Sequence, residues 1–229
     1  MEFNNAVAAG FYKPTLTGKA TVKFIEEIWP DIFQHEITLG NLGYHLGGAR
    51  FEEILFIASI ARHLDPRQVL EIGTCEGRTT INIARNCPSL VKLYTLNLPP
   101  DDDLNSRWLP QDRFIYEETK ARIGANFRNT PYEEKIEQIY ANSQDYSFAR
   151  HAPIDLALID AGTQSDYVIN DSESCWKILR QGGVVIWRAY NYADGVTMGV
   201  DAFAQKRGIK VFNIYKTTLA VAFKEEGKK

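Results

Sequence analysis

The chain has 229 residues, of which 45% are hydrophobic and 24% charged, and 26 basic against 29 acidic side chains leave a formal net charge of -3. That length suits one well-buried domain, and the scattered Lys and Arg exclude the basic footprint of a nucleic-acid binder. Cys75, Cys87 and Cys175 show no CxxC spacing, so neither a disulfide framework nor a zinc site is indicated, and a reducing cytoplasm fits.

The opening Met1-Glu2-Phe3-Asn4-Asn5 lacks the basic region and apolar core of a leader. The strongest apolar run, Ile54 to Ala61, is too short to span a bilayer, so no membrane partner is expected. Residues 1–20, with Pro14 and Gly18, read as a loosely held arm, and residues 1–48 as an arm and helical or lid segment ahead of a main domain over 49–229. From Arg50 to Leu64 apolar residues recur at helical spacing, and Asp65-Pro66 ends that helix.

Short apolar runs then alternate with amphipathic stretches. Strands are predicted at 68–72, 91–96, 135–140, 154–159 and 184–187, the last after a Gly182-Gly183 turn. Helices are predicted at 78–86, 112–127, 165–179 and 195–206. This order specifies a parallel sheet covered on both faces. Strands at 210–215 and 219–223 are separated only by Lys216-Thr217-Thr218, so the last strand should run antiparallel. The fold class is therefore α/β, a Rossmann-like three-layer sandwich with a seven-stranded, mostly parallel sheet.

The turn after the first of these strands is Glu71-Ile72-Gly73-Thr74-Cys75-Glu76-Gly77. Its two glycines let backbone amides approach a ligand at a helix N-terminus, where the dipole favours an anionic group. A carboxylate such as Glu71 repels a diphosphate and attracts an ammonium. With no GxGxxG, this disfavours NAD.

The segment Glu71 to Thr80 resembles motif I of class I S-adenosylmethionine-dependent methyltransferases, in the small-molecule O-methyltransferase-like subgroup, and the similarity spans residues 50–223. The resemblance implies S-adenosylmethionine as cofactor. It places Glu71, Gly73, Thr74 and Gly77 at the methionine end, and Thr79 as a helix cap that meets the cofactor's carboxylate. Asn97 takes the place where the family carries Asp or Glu for the ribose, or is a turn residue before Pro99-Pro100. Asn142 and Ser143, in Ala141-Asn142-Ser143-Gln144-Asp145, resemble the adenine-binding segment, though any polar loop after a strand looks similar.

Asp160 matches the family's strand-end aspartate beside the cofactor, which in catechol-type relatives also binds a divalent cation. Gln164 stands where relatives of this subgroup carry His, and Arg188-Ala189 where they carry His-Asp. A hydroxyl nucleophile needs a base of tunable pKa or a metal. Gln164 and Ala189 supply neither and Arg188 repels a cation, so no metal is expected. Asp160 and Arg188 are the candidate catalytic residues, Arg188 either as a bidentate clamp on an anionic substrate or as an ion-paired arginine.

His35, His45, His63 and His151 are the only histidines. His45, in a glycine-rich loop, is either part of a lid or a solvated residue, and Tyr190 and Tyr192 either shape an acceptor pocket or simply pack. Two functions follow from these residues. One is methyl transfer to a small-molecule acceptor, at oxygen; the other is a catalytically degenerate relative acting as a binding or assembly module. The expected partner is a small molecule, with no nucleic acid and no membrane, and a homo-oligomer stays open.

Overall fold

The computed structural model describes residues 17–43, 46–102 and 108–225. Its elements are β1 (Thr21–Lys23), α1 (Ile25–Ile28), α2 (Phe51–Leu64), β2 (Gln68–Ile72), α3 (Arg78–Asn86), β3 (Lys92–Asn97), α4 (Pro110–Thr119), β4 (Ile136–Tyr140), β5 (Ile154–Ile159), α5 (Ser165–Ile178), β6 (Leu179–Trp187), α6 (Asp194–Arg207), β7 (Phe212–Ile214) and β8 (Ala220–Phe223), with short 3-10 turns between several of them. The strands form one sheet in the order β1-β7-β8-β6-β5-β2-β3-β4. Only β8 runs against its neighbours β6 and β7, and a short connection of five residues, Tyr215 to Leu219, joins it to β7.

Alternation along each central strand sorts side chains into two layers. Leu70, Ile72, Ala157, Ile159, Val185 and Trp187 face Val200 and Phe203 of α6 and Cys175 and Trp176 of α5. Val69, Leu156, Leu158, Val184 and Ile186 face Ile57 and Ile60 of α2 and Ile81 and Ile83 of α3. Both faces are apolar because helices cover both.

Four features differ from the sequence-based expectation. First, β1 adds an eighth strand, paired in parallel with β7 from Thr21↔Phe212 to Lys23↔Ile214. It follows the arm directly: Ala20 N–H donates to Tyr190 Oη at 2.9 Å, and Gly18 N–H to Asn191 Oδ1 at 2.6 Å. Second, the helix expected over 112–127 runs instead over Pro110–Thr119, and a 3-10 turn follows at Lys120–Arg122. Gly124 has φ +72° there, and Phe127 packs against both Gly124 and Gly77. Third, Gly182-Gly183 lies inside β6, where the β5–β6 register shifts between Ile154 and Leu156. Fourth, Gly77 is the N-cap of α3 with φ +79°, which puts Thr79 inside the first turn and not at the cap.

The chain leaves β2 toward β3 and β4, then crosses back to β5 on the other side of β2. This reversal opens a crevice at the carboxyl ends of β2 and β5, the place where open α/β sheets bind ligands. The two strand ends touch there. Asp160 N–H donates to the Ile72 carbonyl at 2.8 Å, and a Cβ on Gly73, whose φ is +105°, would lie 1.9 Å from the Asp160 carbonyl oxygen. Only glycine fits.

Candidate functional site

A cavity of about 760 Å³ occupies this crevice, within the range of small-molecule sites. Its floor is the turn Gly73 to Glu76, with Arg78 and Thr79 from the start of α3. One side carries Asn97, Asn142 and Ser143 from the ends of β3 and β4, and the other carries Asp160 and Arg188 from the ends of β5 and β6. Glu53 and Phe51 of α2, Trp108, and Tyr192 complete the walls.

Of the expected cofactor residues, Gly73, Thr74, Thr79, Asn97, Asn142, Ser143 and Asp160 therefore line one cavity. Glu71 and Gly77 do not. Strand alternation puts Glu71 on the same face as Val69, beneath α3, where it is 1% exposed. Its Oε2 accepts hydrogen bonds from Thr80 Oγ1 at 2.5 Å and Thr95 Oγ1 at 2.6 Å. Burial pushes its carboxyl up to about 7 against the pull of these two hydroxyls, and nearby Asp160 adds to the rise. The network continues through Thr74, whose hydroxyl lies 2.7 Å from Thr95 Oγ1 and accepts from Gln138 Nε2 at 3.0 Å. Glu71 thus braces the turn from below.

Asn97 does related work from within the cavity wall. Its Oδ1 accepts the Cys75 N–H at 3.1 Å, which holds Cys75 in a left-handed conformation with φ +47°. An amide oxygen has two lone pairs, so one remains for a ligand hydroxyl. Asn142 Oδ1 accepts from Gln144 N–H at 3.1 Å, and the Ser143 hydroxyl bonds the buried Asp171. Burial lifts Asp171 to about 6 although its bonds to Ser143 and Asn170 oppose the shift.

Asp160 Oδ1 lies 2.6 Å from Arg188 Nε, and Arg188 Nη2 donates to the Gly47 carbonyl. Burial raises the Asp160 carboxyl above its ordinary range while the Arg188 charge and hydrogen bond oppose the shift. Glu53 stands nearby and was not anticipated from sequence. It is 1% exposed; its Oε1 accepts from Thr218 Oγ1 at 2.6 Å and Thr218 N–H at 3.0 Å, and its Oε2 accepts from Arg50 N–H at 2.8 Å. Burial raises the Glu53 carboxyl, but the Arg188 charge and these bonds outweigh it and leave the pKa below its ordinary value. The signal in the sequence was Glu53 as third residue of α2, returning to the Arg50 amide as a helix-capping acid does.

Gln164 caps α5 and lies outside this cavity, whereas Ala189 and Tyr192 line it. Tyr190 is fully buried, its hydroxyl donating to Asp201 at 2.7 Å, and packs rather than facing a ligand. Among the described residues no histidine lines the cavity. His151 sits before β5, at the opposite end of the strands, against Tyr146 Oη at 2.8 Å, and His63 lies at the C-terminal end of α2. His45 is outside the described residues. No group of three or more potential metal ligands occurs among the described residues, and none of their helices is long and apolar enough to cross a membrane.

Comparison with known proteins adds the following. The model of a family described as a methyltransferase domain matches residues 70–188, from the middle of β2 to the end of β6. The O-methyltransferase TomG from Streptomyces achromogenes, involved in tomaymycin synthesis and solved with SAM, aligns at 19% identity over 78% of this chain and 82% of its own, with a TM-score of 0.55. An O-methyltransferase from Bacillus cereus solved with SAH aligns at 19% identity over 80% and 85%, with a TM-score of 0.51. Cofactor-bound Rv0187 from MTB aligns at 19% identity over 82% and 84%, with a TM-score of 0.52. At these identities the likeness establishes the fold. No curated protein matches the sequence.

Proposed function

The chain belongs to the methyltransferase-domain family, and from that premise we propose that it transfers the methyl group of S-adenosylmethionine to a small-molecule acceptor, at oxygen. The observation that carries this reading is convergence: seven residues expected from the resemblance to motif I and its companion segments, Gly73, Thr74, Thr79, Asn97, Asn142, Ser143 and Asp160, line one cavity at the sheet's switch point.

The donor set fits the cofactor. The Asp160 carboxylate suits an ammonium, the uncapped N-terminus of α3 with Thr79 suits a carboxylate, and the free lone pair of Asn97 suits a ribose hydroxyl. We assign Asn142 and Ser143, which line the same cavity, to the base. When bound, the cofactor supplies an electrophilic methyl group. The chain's own task is then positioning, since alignment of two reactants in a walled cavity replaces a bimolecular encounter. Asp160 pairs with Arg188, and the Arg188 charge also acts on the Glu53 carboxylate. Asp160, held by Arg188 at Oδ1, keeps Oδ2 for the ammonium and so positions the cofactor against an acceptor oxygen that must itself be nucleophilic.

The test is release of S-adenosylhomocysteine when the protein and S-adenosylmethionine meet a panel of hydroxylated small molecules. Methyl transfer to at least one acceptor, reduced on the order of 100-fold or more by Asp160→Asn, is the expected result. Tight cofactor binding without turnover on any acceptor would reassign the protein as a binding module.

A further inference from the structure

Helix α5 holds a buried carboxyl against a residue of the cavity wall. Asp171 is 1% exposed, and the Ser143 hydroxyl donates to it. Asn170, the residue before it, donates from Nδ2 to the Ser143 carbonyl at 3.2 Å and to Asp171 Oδ1 at 3.4 Å. Two consecutive residues of α5 thus grip Ser143, one at its backbone and one at its side chain, where it lines the cavity beside Asn142.

A neutral side chain would hold a hydroxyl at lower cost, since burial disfavours a charged carboxylate. Burial lifts the Asp171 carboxyl to about 6 although the Ser143 and Asn170 bonds oppose the shift. One turn along α5, burial and the same negative charge push the Cys175 thiol well up. Above its pKa the Asp171 carboxylate can only accept hydrogen bonds. What the charge adds is direction. The Ser143 proton is committed to Asp171, so the Ser143 oxygen has lone pairs alone to offer a ligand.

We propose that Asp171 is a positioning residue that sets the polarity of the base subsite: by taking the Ser143 proton it makes the Ser143 hydroxyl an acceptor toward the cavity, which selects a purine bearing an amino group over one bearing an oxo group. This rests on the assignment of S-adenosylmethionine to the cavity and of Ser143 to its base. The exocyclic amine of adenine donates to such an acceptor. The oxygen that replaces it in hypoxanthine meets lone pair with lone pair. A site arranged for one hydrogen-bonding partner discriminates against a ligand that lacks it, because its own buried group is then left unmatched. Asn170 supports the selection by holding the backbone of the same residue.

The experiment is calorimetric titration at pH 7.5 of the wild-type protein, Asp171→Asn, Asp171→Ser and Ser143→Ala with S-adenosylhomocysteine and with S-inosylhomocysteine, its deaminated analogue. The wild-type protein should prefer S-adenosylhomocysteine by about 10-fold or more. Asp171→Asn, whose amide both donates and accepts, frees the Ser143 hydroxyl to turn and should bring that ratio below about threefold. Asp171→Ser, small and neutral, carries the same comparison if the Asn variant does not fold. Ser143→Ala removes the acceptor and should collapse the ratio as well. The ratio is the decisive readout, because a general loosening of α5 weakens both ligands alike. No preference in the wild-type protein, or equal losses that leave the ratio unaltered in the variants, would overturn the assignment. Failure of the wild-type protein to bind S-adenosylhomocysteine would appear before any variant is made and would remove the cofactor reading itself.

Discussion

Glu71 shows how one carboxyl can belong to a motif and still serve the fold. Its neighbours are the Thr80 and Thr95 hydroxyls, and burial holds its pKa at about 7 against an ordinary 4.5. The folded chain therefore keeps a proton that the unfolded chain releases. Stability falls as pH rises from about 4.5 to about 7 and levels off above, a span worth on the order of 3 kcal/mol. Buried Asp171, raised to about 6, adds a slope of the same sign over lower pH. Denaturant unfolding of wild type and Glu71→Gln at several pH values isolates the first contribution. The difference between the two proteins should change steadily between pH 5 and 7 and be flat at pH 8 and above; a difference independent of pH would mean that Glu71 is ionised in the folded state.

Helix α3 shows how an element ties the site to the chain that passes over it. Arg78, Asn82 and Asn86 are spaced four apart, so they share one face. Asn82 and Asn86 each clasp a residue of the extended segment preceding α2: Asn82 Oδ1 and Nδ2 bond the Gly40 N–H and carbonyl at 3.0 and 2.9 Å, and Asn86 does the same to Thr38 at 2.8 and 2.9 Å. Each asparagine also donates to the carbonyl one turn back in its own helix. Replacing fully buried Asn82 with Ala strands both Gly40 groups, and unfolding measurements should show a loss of about 1–3 kcal/mol. A loss below about 0.5 kcal/mol would mean that water takes over the clasp.

These elements were legible to different degrees. The apolar strand at 154–159 and the helix at 78–86 have the bounds read from sequence, because their periodicities are unbroken and strong turn residues flank them. The helix expected over 112–127 was overextended, since apolar spacing continues through residues whose backbone turns at Gly124. Strand β1 was invisible: three residues carry too little pattern, and their pairing with β7 is set nearly the whole chain away.

The molecule as a whole is organised around the reversal between β2 and β5. Sheet order brings together segments that lie far apart in sequence, from Leu42 to Thr218, at one cavity. The residues read from motif-like segments were findable because each follows a strand at its carboxyl end. Glu53, Arg78 and Thr218 were not, since their roles depend on which side chains the fold sets against Asp160 and Arg188. Within the stretch 1–48, Thr21–Lys23 pairs with β7 in the sheet, and Thr38, Gly40 and Gly43 are bonded to α3. Leu42 and residues 46–49 line the cavity.

The first measurement is titration of the purified protein with S-adenosylmethionine and S-adenosylhomocysteine by calorimetry, with Asp160→Asn as the companion. Binding of both ligands at one site per chain, weakened on the order of 10-fold or more by the substitution, is the predicted result. Absence of binding to either ligand would contradict the assignment of the cavity to this cofactor, and with it the proposed methyl transfer.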